Sequence, residues 1–320
     1  MSALAFAVLA LVLAGPVPAL LARASWPLRA PRAAVVLWQA VAGAAVLSAF
    51  SAGLAIAALL FVPRADRPPA TGLAESLAGL GWPMLVGAAL VLGLTLLVAG
   101  RLVGAIVRVG VDTRRRRSRH RTVVDLVGNC GGHHVGRGMH GQMAGHPADV
   151  RVLQVREPLA YCLPGRQQRV VLSEGTLDAL DRSELAAIIG HERAHLRARH
   201  DLVLEAFVAL HTAFPRIVRS GSALNAVRLL VELLADDAAV RTAGPAPLAR
   251  ALVACAASQA PAGALAAGGP TTVIRVVRLS RKNSLLLSLA AYAAAAAVLV
   301  VPTLAVAIPW LSEVRRLFLG

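Results

Sequence analysis

The stretch "IIGHERAHLRARHD" (188–201) sets His191 and His195 four residues apart, with Glu192 directly after the first. On an α-helix the two histidines differ by about 40° around the axis and stand one turn apart, so both imidazoles can reach one ion. Glu192 sits about 100° round from His191, better placed to meet a water on that ion than to bind the ion itself. Two histidines at this spacing with a glutamate between them are the pattern of a zinc site with its general base. The competing reading is a solvated helical face that carries these residues by chance.

Zinc chemistry needs a third protein ligand and one open position. Downstream, "NAVRLLVELLADDAAVRTAG" (225–244) reads as a helix with Glu232 and Asp236 four apart on one face. Glu232 is the candidate third ligand. Asp236 is the candidate acceptor for the far nitrogen of a ligating histidine, fixing its tautomer. Alternatively, Glu232 and Asp236 are a surface carboxylate pair, or Glu232 pairs with Arg228 one turn earlier. Like charges at this spacing repel on a bare helix, which favours a cation nearby. Arg241 and His200 are candidate donors to an oxyanion, although His200 reads better as a helix-end residue interacting with the C-terminal dipole.

These residues must be held by ordered elements. Asp181 with Glu184 three residues on forms a capping box for "RSELAAIIGHERAHLRARH", whose Leu185, Ile188, Ile189, Ala194 and Leu196 suit a helix packed on a core. Upstream, "DVRVLQV" (149–155) and "QRVVLS" (168–173) read as strands of a small antiparallel sheet, separated by "PLAYCLPGR" with its Pro-Gly turn. Ser173 is placed to cap a short helix over 174–180. The segment 128–147 is rich in Gly and has no apolar period, so it reads as a loop; Cys130, His133, His134 and His140 could bind a metal, but they lack a standard ligand spacing.

The ends of the chain are of another kind. Apolar residues make up 57% of the 320 and charged ones 16%, too greasy a balance for an ordinary soluble protein. Four stretches, about 2–22, 34–62, 83–107 and 285–311, are long and apolar enough to span a bilayer. Pro16 and Pro18 should kink or shorten the first. A cleaved signal peptide is a weaker reading of that stretch, since no basic segment precedes it.

The formal charge of +16 is carried almost wholly by arginine, Lys282 being the single lysine. Arg23, Arg29 and Arg32 lie in the first connection, Arg108 and "RRRRSRHR" (114–121) follow the third span, and Arg275, Arg278, Arg281 and Lys282 precede the fourth. The second connection balances Arg64 and Arg67 with Asp66 and Glu75. This asymmetry predicts the N-terminus outside and residues 109–284 in the cytoplasm, with the arginine run contacting anionic lipid rather than nucleic acid. Three widely spaced cysteines, Cys130, Cys162 and Cys255, outline no disulfide framework.

The expected architecture is mainly α: four transmembrane helices with an inserted α+β zincin-like cytoplasmic domain. Residues 1–108 hold three spans, 109–284 the cytoplasmic domain with the candidate zinc site, and 285–320 the fourth span with a short tail.

"HERAHLRARHD" followed by "VELLADDAAV" resembles the H-E-x-x-H and E-x-x-x-D pattern of gluzincin membrane metallopeptidases, in particular the BlaR/MecR type. "AYCLPG", "VVLSEGTLDALDRSELAAIIGHERAH" and "VIRVVRLSRK" extend the resemblance over most of 145–284 and the four-span layout. It implies zinc held by His191, His195 and Glu232, Glu192 as general base and acid, and a strand near 168–172 that pairs with an extended substrate. BlaR/MecR receptors carry an extracellular penicillin-binding domain after the last span. This sequence stops at Gly320, so a sensor is expected to be a separate protein. The expected function is an integral membrane zinc endopeptidase that cleaves a regulatory protein such as a transcriptional repressor. The alternatives are an HtpX-like quality-control protease and a non-catalytic zinc-dependent scaffold. Expected partners are a protein or peptide substrate and membrane lipid, with no direct nucleic acid.

Overall fold

A computed structural model describes residues 2–59, 82–130, 149–215, 220–256, 265–266 and 271–319. Most of the second connection and nearly all of the Gly/His segment lie outside them. The chain is mostly helical, and four helical stretches are long and apolar enough to cross a membrane: Leu4–Arg23, Pro31–Gly53, Leu85–Val127 and Leu285–Ala305. The first comprises α1 (Ser2–Ala14) and α2 (Pro16–Arg23), which break at Gly15 where Pro16 and Pro18 bring no N–H. A short 3-10 turn at Trp26–Arg29 leads into α3 (Pro31–Leu59), the most buried of the four.

The helix that carries the third apolar stretch does not end near residue 107. It continues as one helix, α4 (Trp82–Val127), straight through the arginine run. Arginine is a good helix former, no Gly or Pro interrupts 111–127, and Gly128 stops the helix with its N–H on the Val124 carbonyl. At 1.5 Å per residue a helix of this length reaches about 70 Å, more than twice the hydrocarbon thickness of about 30 Å. Its C-terminal half therefore stands outside the bilayer.

That half meets a five-stranded sheet of β1 (Asn129–Cys130), β2 (Val150–Leu153), β3 (Ala160–Leu163), β4 (Arg169–Ser173) and β5 (Leu265–Ala266). The order is β1-β2-β4-β3-β5, with β2 and β4 parallel and every other pair antiparallel. This differs from the simple antiparallel pair expected of 149–155 and 168–173. The segment between them supplies β3, which is buried at all four positions and enters the sheet beside β4. The Pro164–Gly165 turn belongs to the β3–β4 hairpin, with Gly165 at φ +145°. Both edges of β4 are thus taken, so it cannot pair with a substrate as the resemblance implied. His120 of α4 meets the Tyr161 hydroxyl at 2.8 Å, and Arg121 donates to the Pro164 carbonyl.

Among the described residues seven helices complete the order: α5 (Glu174–Ala179), α6 (Arg182–Ala198), α7 (His200–Ala213), α8 (Ser220–Ala243), α9 (Pro245–Ala254), α10 (Thr272–Leu279) and the final membrane helix α11 (Leu285–Leu319). Two apolar cores hold them. In one, Leu185, Ile188 and Ile189 of α6 pack with Cys162, Val170 and Leu172 of the sheet and Leu248 and Leu252 of α9. Burying each large aliphatic side chain contributes roughly 1.5–3 kcal/mol. In the other, Phe207 of α7 and Leu224, Val227, Leu230 and Leu233 of α8 pack with Leu13, Val35, Trp38 and Val41 of the membrane helices. The α7–α8 hairpin is therefore built into the membrane bundle, and the second core runs across the 108/109 and 284/285 positions.

Candidate metal centre

Helix α6 begins where its sequence says it should. Asp181 accepts from the backbone N–H groups of Ser183 and Glu184, and the Glu184 carboxylate accepts from the Asp181 N–H at 3.0 Å. This capping box satisfies first-turn donors that would otherwise be orphaned. Packing the Leu185/Ile188/Ile189 face on the sheet then turns His191, Glu192 and His195 into the interior, all at 0% exposure.

Helix α8 crosses this face and brings Glu232 to the two histidines. The His191 and His195 Nε2 atoms are 3.2 Å apart, and Glu232 Oε2 and Oε1 lie 3.5 Å from the first and second respectively. One ligand atom from each residue falls within 4.8 Å of the others, a group able to hold a metal ion. Two histidines and a carboxylate form the donor set of a catalytic zinc site that leaves a position open. Glu232 turns to this cluster rather than to Arg228, which is exposed.

The outer nitrogens of both histidines are also occupied. Asp236 Oδ1 lies 3.0 Å from His191 Nδ1. His200 Nδ1 lies 3.0 Å from His195 Nδ1. Sequence reasoning placed His200 at the end of the long helix, but α6 ends at Ala198. Arg199, in the left-handed region at φ 52°, redirects the chain so that His200 opens α7 and folds back on His195. Asp201, next along, is buried and pairs at 3.2 Å with Arg117 of α4, which also reaches Glu205. Arg241, the other oxyanion candidate, is exposed on the last turn of α8.

Arg275 of α10 is the residue that sequence reasoning missed. It is 1% exposed and inserts between the carboxylates, with Nη1 3.0 Å from Glu232 Oε2, Nη2 2.6 Å from Asp236 Oδ1 and Nε 2.9 Å from Asp236 Oδ2. Its Nη2 comes within 3.4 Å of His191 Nε2. The sequence showed it only as one of several arginines before an apolar stretch. Arg278, counted with it as a loop charge, is also buried; it pairs with Asp237 and donates to the Leu28 carbonyl at 3.0 Å.

Burial opposes charge on every group here, and the neighbours decide the outcome. His191 is depressed by burial, yet Asp236 and Glu232 prevail and hold it at about 9. His195 is driven by burial down to about 3. Burial raises Glu232 and Asp236 as well, but His195 and Arg275 overcome it for Glu232, and Arg275 and His191 for Asp236, so both carboxyls end below their ordinary values. For Glu192 burial outweighs the lowering effect of His191, Cys162 and Arg275, and carries it up to about 7. Among the described residues no cation forms an ion pair with its fully buried carboxylate, which sits beside the Cys162 thiol. A buried carboxylate of this kind beside a His-His-Glu cluster fits a site that receives an ion and its water.

Residues 134–283, a little under half of the chain, match the family model of Peptidase family M48. With membrane-length helices and a buried His-His-Glu cluster beside Glu192, this match indicates a membrane metallopeptidase, a hydrolase. The match covers α6, α8 and α10, which carry the whole cluster. No curated protein and no solved structure matches the chain.

Proposed function

We propose that the chain is an integral membrane zinc endopeptidase in which His191, His195 and Glu232 hold the metal and Glu192 is the general base. The observation that carries this reading is the fully buried Glu192 carboxylate next to the ligand set. Bound zinc would acidify a water and polarise the scissile carbonyl. Glu192 is placed to accept a proton from a water and to return it to the leaving amine. Asp236 and His200 hold the outer nitrogens of the two histidines, which would leave each Nε2 available to the metal. Arg275 offsets the Glu232 and Asp236 charges.

For the substrate we favour a regulatory protein such as a transcriptional repressor, supported by the resemblance of the helix motifs to the BlaR/MecR type. The peptidase region then faces the cytoplasm. HtpX-like turnover of membrane proteins is the second reading. It is favoured by the link from Arg278, one turn beyond Arg275, to the Leu28 carbonyl at the end of a membrane helix pair.

The test is Glu192→Gln. Purified wild-type and variant protein should each hold about one zinc per chain, while proteolysis by the variant falls by at least ~100-fold. Normal turnover by a zinc-loaded Glu192→Gln protein would remove the proposed base. Comparing the proteomes of cells making wild-type and variant protein separates the two substrates: a soluble regulator accumulates in one case, membrane proteins in the other.

A further inference from the structure

Helix α10 packs Val276 and Leu279 against the core beside two buried arginines, yet keeps a second apolar face outside. On a surface helix of a soluble domain the arginines face water and the aliphatic residues face the core. Here Thr272, Arg275 and Arg278 are buried at 7%, 1% and 4%, whereas Val273, Ile274 and Val277 are exposed at 74%, 44% and 53%. Positions 273, 274 and 277 share one helix face, so the three side chains form a single apolar ridge.

The position of α10 identifies what covers that ridge. Only five residues separate it from α11, and the Ser284 N–H donates to the Arg29 carbonyl at 2.8 Å. Arg278 fixes α10 itself to the Leu28 carbonyl, in the turn that opens α3. The helix is thus held at the level where two membrane helices begin. At that level α11 exposes Leu285, Leu286 and Leu289, a surface made for lipid. Arg29, Arg32, Arg281 and Lys282 are exposed around it, the charge that anionic headgroups attract.

We propose that α10 is an interfacial helix. Val273, Ile274 and Val277 lie in the headgroup–acyl boundary of an anionic phospholipid bilayer, continuous with the lipid-facing surface of α11, while Arg275 reaches from the opposite face into the metal centre. The bilayer is then a structural neighbour of the helix that holds Glu232 and Asp236. The inference rests on the membrane helices and not on any particular substrate.

The experiment uses the full chain in nanodiscs of phosphatidylcholine and phosphatidylglycerol. Cys162 and Cys255 are buried, so a single fluorophore can be placed at Val277→Cys, or separately at Val273→Cys, in a Cys130→Ser background. A label at Leu286→Cys provides the lipid-exposed reference. Lipids carrying a nitroxide high on the acyl chain should quench the α10 labels to within about twofold of the reference, and aqueous iodide should quench them several-fold less than in detergent-free denaturant. Strong iodide quenching with no quenching by nitroxide lipid would place the ridge in water and overturn the proposal. Pyrene at Val277→Cys that forms excimers as protein per disc is increased, without lipid quenching, would assign the ridge to a second copy and overturn it equally.

Discussion

At the scale of single residues, the centre depends on charge balance in a dry site. Glu232 and Asp236 stay ionised because Arg275 lies between them, 3.0 and 2.6 Å away. Removing one partner of a buried ion pair costs about 3–5 kcal/mol, because the remaining charge stays buried and alone. A bound dication supplies positive charge at the same carboxylate. Arg275→Ala is therefore expected to lower the thermal unfolding temperature of metal-free protein strongly and that of zinc-loaded protein less; equal losses in both states would separate Arg275 from the charge balance. Asp236→Asn, which keeps shape but loses the charge facing His191 Nδ1, should weaken zinc affinity by about 10–100-fold in a competition titration. The histidines, Glu192, Glu232 and Asp236 could be picked out because each pair sits at a helical spacing written locally in the chain. Arg275 could not, since it lies 84 residues from His191 and its partner is chosen by packing. Before an apolar stretch, a buried arginine and a topology anchor look alike.

At the scale of elements, the capping box and the apolar face of α6 were readable because both are short-range patterns. The end of that helix was not, for "RARHD" contains neither Gly nor Pro. The turn is made by Arg199 at φ 52°, a conformation that costs an ordinary residue about 1–2 kcal/mol. It is held by what it achieves, the approach of His200 to His195 and of Asp201 to Arg117. Arg199→Gly should therefore leave the unfolding temperature unchanged or raise it by a few degrees, with zinc affinity intact. Arg199→Val, which crowds a branched side chain into the same region, should lower both in the same thermal and metal titrations. The sheet was half readable for a related reason. An alternating run reveals a strand, but β3 is buried on both faces, and its short continuous apolar run next to Pro and Gly reads as a turn. The order β2-β4-β3 is a matter of long-range pairing that no local pattern carries.

At the scale of the whole molecule, membrane helices were legible from length and apolarity, while their sidedness was argued from arginines that do not all serve that purpose. Arg275 and Arg278 are engaged in buried ion pairs, so they drop out of the charge count before the last span. The structure replaces them with a mechanical argument. The turn after α2 touches α10 through Leu28 and the start of α11 through Arg29, and α10 touches α8 through Asp236 and Asp237. These segments must share one side of the membrane, whichever side it is. The exposed arginines that remain on them, Arg23, Arg29, Arg32 and Arg281, together with Lys282 and with Arg114, Arg115, Arg116 and Arg119 on α4, favour the cytoplasm. An alkaline phosphatase reporter inserted within 131–148 should consequently be inactive and one inserted near residue 70 active, while a fluorescent protein gives the opposite pair of signals. The converse result at both sites would put the metal centre outside. Because the contacts bind the segments together, a labelling reagent that cannot cross the membrane should treat cysteines introduced at Arg32 and at Arg281 alike, and a split between those two positions would contradict the fold itself.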